Sequence, residues 1–246
     1  MMKHKNTFYS LLFVFVFSCV YSQQGKMTAM QVLKKATEVY NRQEYLSYNS
    51  KYALYLDYTS KKIYEQYSGI VLKKNNINYF KIKNTEFVSF KNYGIKINHD
   101  EKAIVIEKQS GEMEESPLSL DNYLKGFDSK LILTNKEYFI CELTPPKISQ
   151  IMMSKVVLYI KKSDYSIAKQ LLFFVEKMES KNAKGKTIYT VPRLEISFIP
   201  RTKNEKIDNF LVAKENYFIE KNNYFIEKNN EIIVSKRLSA YQLFKS

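Results

Sequence analysis

The stretch YSGIVLKKNNINYFKIKNTEFVSFKNYGIKINHDEKAIVIEK, residues 67–108, decides the fold. It consists of short apolar-rich runs divided by turns of Asn, Lys and Asp. Within the runs the period is two, as in Phe80/Ile82, Val88/Phe90, Ile95/Ile97 and Ile104/Ile106. That spacing puts one set of side chains on one face of an antiparallel sheet and the lysines on the other. Lys74-Asn75-Asn76 and Asn98-His99-Asp100 are hairpin signals, because Asn and Asp tolerate a left-handed backbone and bond to their own main chain. A curved sheet with one apolar face is expected, and such a face needs a cover.

The chain opens with an export signal. Lys3 and Lys5 form a basic region, LLFVFVF at 11–17 is an apolar run too short to span a bilayer, and cleavage is expected between Ser22 and Gln23. The competing reading is a lipoprotein signal acylated at Cys19. No later apolar run approaches the length that crosses a bilayer. Removing Lys3 and Lys5 leaves 37 basic residues against 25 acidic, a formal charge of +12. An exported chain seldom meets nucleic acid, so this surplus reads as a solvated lysine surface or as one facing anionic lipid.

Composition also disfavours most catalytic chemistry. Once the signal is removed, Cys141 is the sole thiol and His99 the sole histidine. They form no disulfide, and two such residues are too few for a zinc site. Cys141 alternates with Phe139 and Leu143, as a buried strand residue does, while His99 falls in a turn. With Gly at 6 residues and His nearly absent, there is no phosphate-binding glycine loop and no Ser-His-Asp arrangement. Glu114 and Glu115 lie in a polar loop, 109–115, and read as solvated. The expectation is a non-enzyme with no catalytic residue, cofactor or metal.

Along the chain, Thr28 and Gln31 form a capping box for a helix with an apolar stripe of Ala29, Val32, Leu33, Ala36, Val39 and Tyr40. Residues 48–58 alternate through Tyr48, Tyr52, Leu54, Leu56 and Tyr58 as a half-buried strand, with 63–73 as its hairpin partner. Ser116-Pro117 is expected to start a second helix carrying Leu120, Tyr123, Leu124 and Phe127, with Gly126 near its end. Strands return at 130–133 and 137–143 and stop at Pro145-Pro146. Residues 147–154 read as a loop whose Ile151, Met152 and Met153 form either an adaptable lid or a segment folded onto the core. Hairpins follow at 156–161 with 167–175, then at 187–199. Near the end NYFIEKN (216–222) is repeated at 223–229. Because seven is odd, the copy does not simply lengthen a strand; Asn222-Asn223 and Asn229-Asn230 suit the turns of a small meander, but the repeat carries no chemistry and reads first as a slipped gene copy. The whole reads as α+β: an open half-barrel of antiparallel strands covered by an N-terminal helix and a short mid-chain helix. It divides into a signal peptide (1–22) and one domain (23–246) whose C-terminal β extension runs from about 205 to 246.

This order resembles the lipoprotein localisation carriers (LolA/LolB-like). The resemblance is carried by Gly69 with its strand and Lys73-Lys74, by the strands at 88–98, by Ser116-Pro117-Leu118, and by Leu143-Thr144-Pro145-Pro146-Lys147 before the strand at 156–161. It covers residues 28–199. The family's carriers have an Arg-Pro pair after the glycine-led strand, where this chain has Lys74-Asn75-Asn76, and its usual cavity tryptophans are absent. The resemblance implies an apolar cavity between sheet and helices, and a monomer in the periplasm of a Gram-negative bacterium. Its ligands would be lipids or lipoprotein acyl chains bound for the outer membrane, with envelope membrane proteins as loading and receiving partners. The candidate cavity face comprises Leu54, Leu56, Phe80, Ile82, Val88, Phe90, Leu158 and Ile160, each of which taken singly also reads as ordinary core. Lys73 and Lys74 are candidates for a head group at the rim. The alternative is an envelope docking or assembly protein of the same fold whose interior is filled by its own side chains.

Overall fold

The computed structural model describes residues 27–91, 93–108, 116–147, 151–181, 184–221, 224–225, 227–228 and 231–245. The expected signal peptide with Cys19, the loop of Glu114 and Glu115, and Asn222-Asn223 and Asn229-Asn230 of the duplication lie outside these.

Helix α1 (Ala29–Arg42) begins with both halves of its capping box: Thr28 Oγ1 accepts from the Gln31 amide at 3.3 Å, and Gln31 Oε1 accepts from the Thr28 amide at 2.9 Å. Its buried stripe is Ala29, Val32, Leu33 and Ala36. Strands β1 (Tyr45–Tyr55), β2 (Glu65–Lys74), β3 (Ile77–Ile82), β4 (Thr85–Ser89), β5 (Tyr93–Asn98) and β6 (Ala103–Lys108) then form a meander. Asn75 and Lys83 take positive φ at the β2–β3 and β3–β4 turns, and the Asn98 side chain accepts from the amides of Asp100 and Glu101 at the β5–β6 turn. Helix α2 (Asp121–Gly126) is followed by β7 (Asp128–Thr134), β8 (Tyr138–Thr144), β9 (Met153–Lys161) and β10 (Ile167–Phe174). A separate hairpin of β11 (Met178–Lys181) and β12 (Thr187–Thr190) leads to β13 (Arg193–Pro200).

The strands build one twelve-stranded sheet in the order β18-β6-β5-β4-β3-β2-β1-β13-β10-β9-β8-β7, where β18 is Gln242–Lys245. Every neighbouring pair is antiparallel except β18 with β6. Its edges, β18 and β7, do not join, so the sheet is an open half-barrel. Three expectations change in detail. The two strands of the hairpin expected at 187–199 do not pair with each other: residues up to Thr190 pair with β11 in the small hairpin, and β13 enters the main sheet between β1 and β10. The mid-chain helix starts at Asp121, because Ser116 closes a turn instead: its hydroxyl accepts from the Leu118 amide and its carbonyl from the Ser119 amide. The C-terminal extension opens with a helix, α3 (Glu205–Val212), capped by Asn204 Oδ1 on the Ile207 amide at 3.2 Å. The duplicated segment forms two small ladders, β14 (Glu220–Lys221) with β15 (Tyr224–Phe225) and β16 (Glu227–Lys228) with β17 (Glu231–Ile232).

The sheet is not apolar on one side only. Its concave face carries a core of Tyr48, Tyr52, Val71, Phe80, Leu158, Ile160 and Ile196 under α1 and the α2 region. Its convex face, from β2 to β6, buries a second core of Leu72, Tyr79, Val88, Phe90, Ile95, Ile97 and Ile104 beneath Val212, Tyr217, Phe218 and Leu238 of the C-terminal segment. That segment is pinned by buried polar groups. Asp208 accepts from Arg201, from the Tyr45 hydroxyl at 2.6 Å and from the Asn204 amide at 3.0 Å. Glu86 holds Arg237 and His99, whose Nδ1 lies 2.8 Å from the Tyr241 hydroxyl.

Candidate functional site

Register decides which expected residues share a face. In the pairing of β2, β3 and β4, Val71 lies opposite Phe80 and Phe80 opposite Phe87, whose rings stack at 4.4 Å. Even-numbered residues of β3 therefore meet odd-numbered residues of β4. Leu54, Phe80 and Ile82 face the concave side together, whereas Val88 lies opposite Tyr79 and faces the convex side. Phe90 also belongs to the convex core, edge-on to Tyr217 and Phe218. Placing Val88 and Phe90 on the cavity face is thus corrected by the parity of one tight turn.

On the concave side, between the central strands and the Ser116–Pro117 turn, is an open cavity of about 500 Å³. Its lining is Tyr52 and Leu54 of β1, Tyr67 of β2, Phe80 and Ile82 of β3, Leu194 and Ile196 of β13, Phe174 and Pro117. None of these side chains is charged. Pro117 is held in place by Gln170, a buried side chain on β10 whose Nε2 donates to the Pro117 carbonyl at 2.5 Å. The cavity lies toward the ends of β1, β3 and β10 and the starts of β2 and β13. At this end Lys83 extends its ammonium over the Tyr67 ring, 5.1 Å from the centroid, and the Tyr67 hydroxyl donates to Glu65. Arg193 fixes the neighbouring loop by donating to the carbonyls of Tyr58 and Ser60 at 2.7 and 3.2 Å.

The other expected residues are placed elsewhere. Leu56 follows the end of β1 and is half-buried. Leu158 and Ile160 are fully buried in the concave core and do not line the cavity. Lys73 and Lys74 are at the opposite end of β2 from Tyr67. The Lys73 ammonium donates to the carbonyls of Tyr40 at 2.6 Å and Asn41 at 3.3 Å, closing the last turn of α1, and burial lowers its pKa. Lys74 donates to Asn209 of α3. Both are engaged with helices rather than at the mouth. Of the expected lid, Ile151 is half-buried, Met152 is exposed, and Met153 is the first residue of β9, packed against the concave core. Ile148 is outside the described residues. Burial pushes the Cys141 thiol up to about 11, so it carries no thiolate at neutral pH. Among the described residues there is no group of three or more His, Cys, Asp or Glu that could hold a metal.

Sequence reasoning did not single out Tyr52, Tyr67, Leu194, Ile196, Phe174, Pro117 or Gln170 for the site. Tyr52 was legible, since it shares the alternation of Leu54. Leu194 and Ile196 carry the same signal on β13, but their neighbourhood to β1 depends on a strand insertion that no local pattern reveals.

No protein-family model matches the chain, and no curated protein matches it. Solved structures do. A LolA superfamily protein from Nitrosomonas europaea is similar at 16% identity and a TM-score of 0.35, over 74% of this chain and 97% of that one. An uncharacterised conserved protein from Thermus thermophilus is similar at 11% identity and a TM-score of 0.46, over 89% and 99%. A DUF1329 family protein from Desulfovibrio piger follows at 12% identity and a TM-score of 0.40, over 76% and 96%. At these similarities none of the three says what this chain binds.

Proposed function

We propose that the protein is a periplasmic carrier that takes up lipid, or the acyl chains of lipoproteins, in the concave cavity for transfer toward the outer membrane. The observation that carries this reading is an open space of about 500 Å³ lined by uncharged, almost wholly apolar side chains. A pocket of this size falls within the range for small ligands. Each methylene moved into it from water gains ~0.8 kcal/mol. Because the cavity is open, the grip on a long chain is incomplete, as release to a receiving partner or membrane requires.

Native mass spectrometry of protein purified from an envelope fraction, with uptake of the neutral dye Nile red and its displacement by lipid, tests the reading. Bound lipid and displaceable dye are expected. Repeated recovery without lipid, together with no dye uptake, would instead favour the docking or assembly scaffold. That second reading has one observation of its own: Leu158 and Ile160, expected to line the cavity, are filled core.

A further inference from the structure

Large apolar side chains stand in solvent at one end of the sheet, and it is the end where the cavity lies. Ile63 and Tyr64 precede β2, Met152 precedes β9 and Val175 follows β10; they are 42%, 45%, 57% and 52% exposed. The backbone ties them to the cavity wall. The Tyr64 amide donates to the Leu54 carbonyl at 2.8 Å, and Val175 directly follows Phe174; Leu54 and Phe174 both line the cavity. The Val175 amide donates in turn to the Met152 carbonyl at 3.0 Å. Tyr58, in the loop between β1 and β2, joins the two sides: its hydroxyl donates to the Phe174 carbonyl and lies 3.0 Å from Ser154 Oγ of β9. These loops therefore form one rim held beside the cavity.

Lysine is interleaved with the apolar groups. Lys61 and Lys62 directly precede Ile63, Lys177 comes two residues after Val175, and all are exposed. Of the carboxylates nearby, Asp57 accepts from the amides of Thr59 and Ser60, and Glu65 from the Tyr67 hydroxyl, rather than from these ammonium groups. A protein partner calls for a packed, contiguous apolar patch with charge kept to its edge. Aliphatic and tyrosine side chains scattered among lysines suit a lipid–water interface instead. There the aliphatic groups reach the acyl boundary, tyrosine stays at head-group level and each ammonium meets a lipid phosphate.

We propose that this rim docks the protein on an anionic phospholipid bilayer, with Ile63, Tyr64, Met152 and Val175 in the interface and Lys61 and Lys62 on the phosphates. This rests on the lipid-binding reading and supplies the route by which the cavity is filled. A chain that crosses from a bilayer into a cavity whose rim sits among the head groups exposes few of its methylenes to water on the way.

Because the chain contains no tryptophan, a single one introduced reports on its own position. Ile63→Trp, Val175→Trp and Ile207→Trp, each in the whole mature chain, are mixed with vesicles of phosphatidylcholine alone or of phosphatidylcholine and phosphatidylglycerol in equal parts. Ile207 is the control: it is 47% exposed on α3, which Lys74 holds at the opposite end of β2. Emission from Ile63→Trp and Val175→Trp is expected to shift to the blue with the mixed vesicles and to be quenched by brominated lipid chains, whereas Ile207→Trp does neither. Adding Lys61→Gln and Lys62→Gln to Ile63→Trp should weaken binding to the mixed vesicles about tenfold, and raised salt should act in the same direction. If one rim variant fails to fold, the other carries the test. No shift at the rim overturns the proposal and leaves the surface to a protein partner. An equal shift at Ile207, or binding indifferent to both lysines, overturns it too. Nile red uptake by the same proteins without vesicles keeps the two readings apart: docking absent with uptake retained removes the membrane surface alone, and absence of uptake removes the carrier reading beneath it.

Discussion

The two faces of the sheet use the same alternation and end differently. On the convex side, Tyr79, Phe90, Ile95 and Ile97 are sealed by Tyr217, Phe218 and Leu238, with ring against ring and polar pins at Asp208 and Glu86. On the concave side, Leu54, Phe80, Ile82 and Leu194 meet no such cover and border open space. Nothing in the strands alone separates core from cavity. The difference is supplied by the rest of the chain: a C-terminal segment that lies down on one face, and a turn at Ser116–Pro117 that closes the other only in part.

The largest effect should come from breaking the convex seal. Asp208 is almost fully buried and serves Arg201, Tyr45 and the Asn204 amide at once. Asp208→Ala leaves the Arg201 charge without its partner and should cost about 3–5 kcal/mol. Hydrogen exchange should show 205–212 losing protection while Nile red uptake persists at temperatures below unfolding. Acid should act in the same direction. Burial opposes ionisation of Asp208, but the Tyr45 hydroxyl, the Asn204 amide and Arg201 outweigh it and hold the carboxyl below its ordinary value. Its contribution is therefore complete above about pH 4, the ordinary carboxyl value, and is lost as pH falls through the lower folded value. Release of the segment at neutral pH instead would assign the pin to another group.

Next in size is Gly69→Ala. The added carbon would meet the Lys81 carbonyl oxygen at 2.2 Å, and backbone cannot swing aside as a side chain can. A loss of about 1–3 kcal/mol is expected from overpacking. Dye uptake should fall as well, because Tyr52 would be pushed from its place in the cavity wall. A fall in stability with unchanged uptake would separate the glycine from the cavity.

Much of the architecture was legible in the sequence, because the signals were local. The capping box of Thr28 and Gln31, the Asn turns and the period of two each depend on residues a few positions apart. What was not legible depended on counting across turns or on distant partners. Val88 and Phe90 alternate as well as Phe80 and Ile82 do, and only the pairing of Phe80 with Phe87 turns them to the other face. Lys73 reads as a surface cation until α1 brings the carbonyls of Tyr40 and Asn41 to it. Helix α3 did carry a local signal, Asn204 before Glu205 and Asp208, which the tandem repeat beside it obscured. The cavity itself had no local signal, since Leu54 and Leu194 come together only where β13 pairs with β1.

Leu194 offers the smallest change and, set against Leu158, the sharpest contrast. Leu158 and Leu194 share a residue type and the concave face, but Leu158 is fully enclosed and Leu194 borders open space. Leu158→Ala should leave a new void and cost about 2–5 kcal/mol, the usual range for a buried leucine. Leu194→Ala only enlarges a space already present beside a half-buried side chain, so about 1 kcal/mol is expected from the lost apolar area. Ligand binding should rank the two in reverse, with Nile red affinity shifting severalfold in Leu194→Ala and staying unchanged in Leu158→Ala. Thermal melts and dye titrations on the two variants read both quantities. Equal stability losses would mean that the concave face is one continuous core, and the distinction between a filled and an open side of the sheet would go with it.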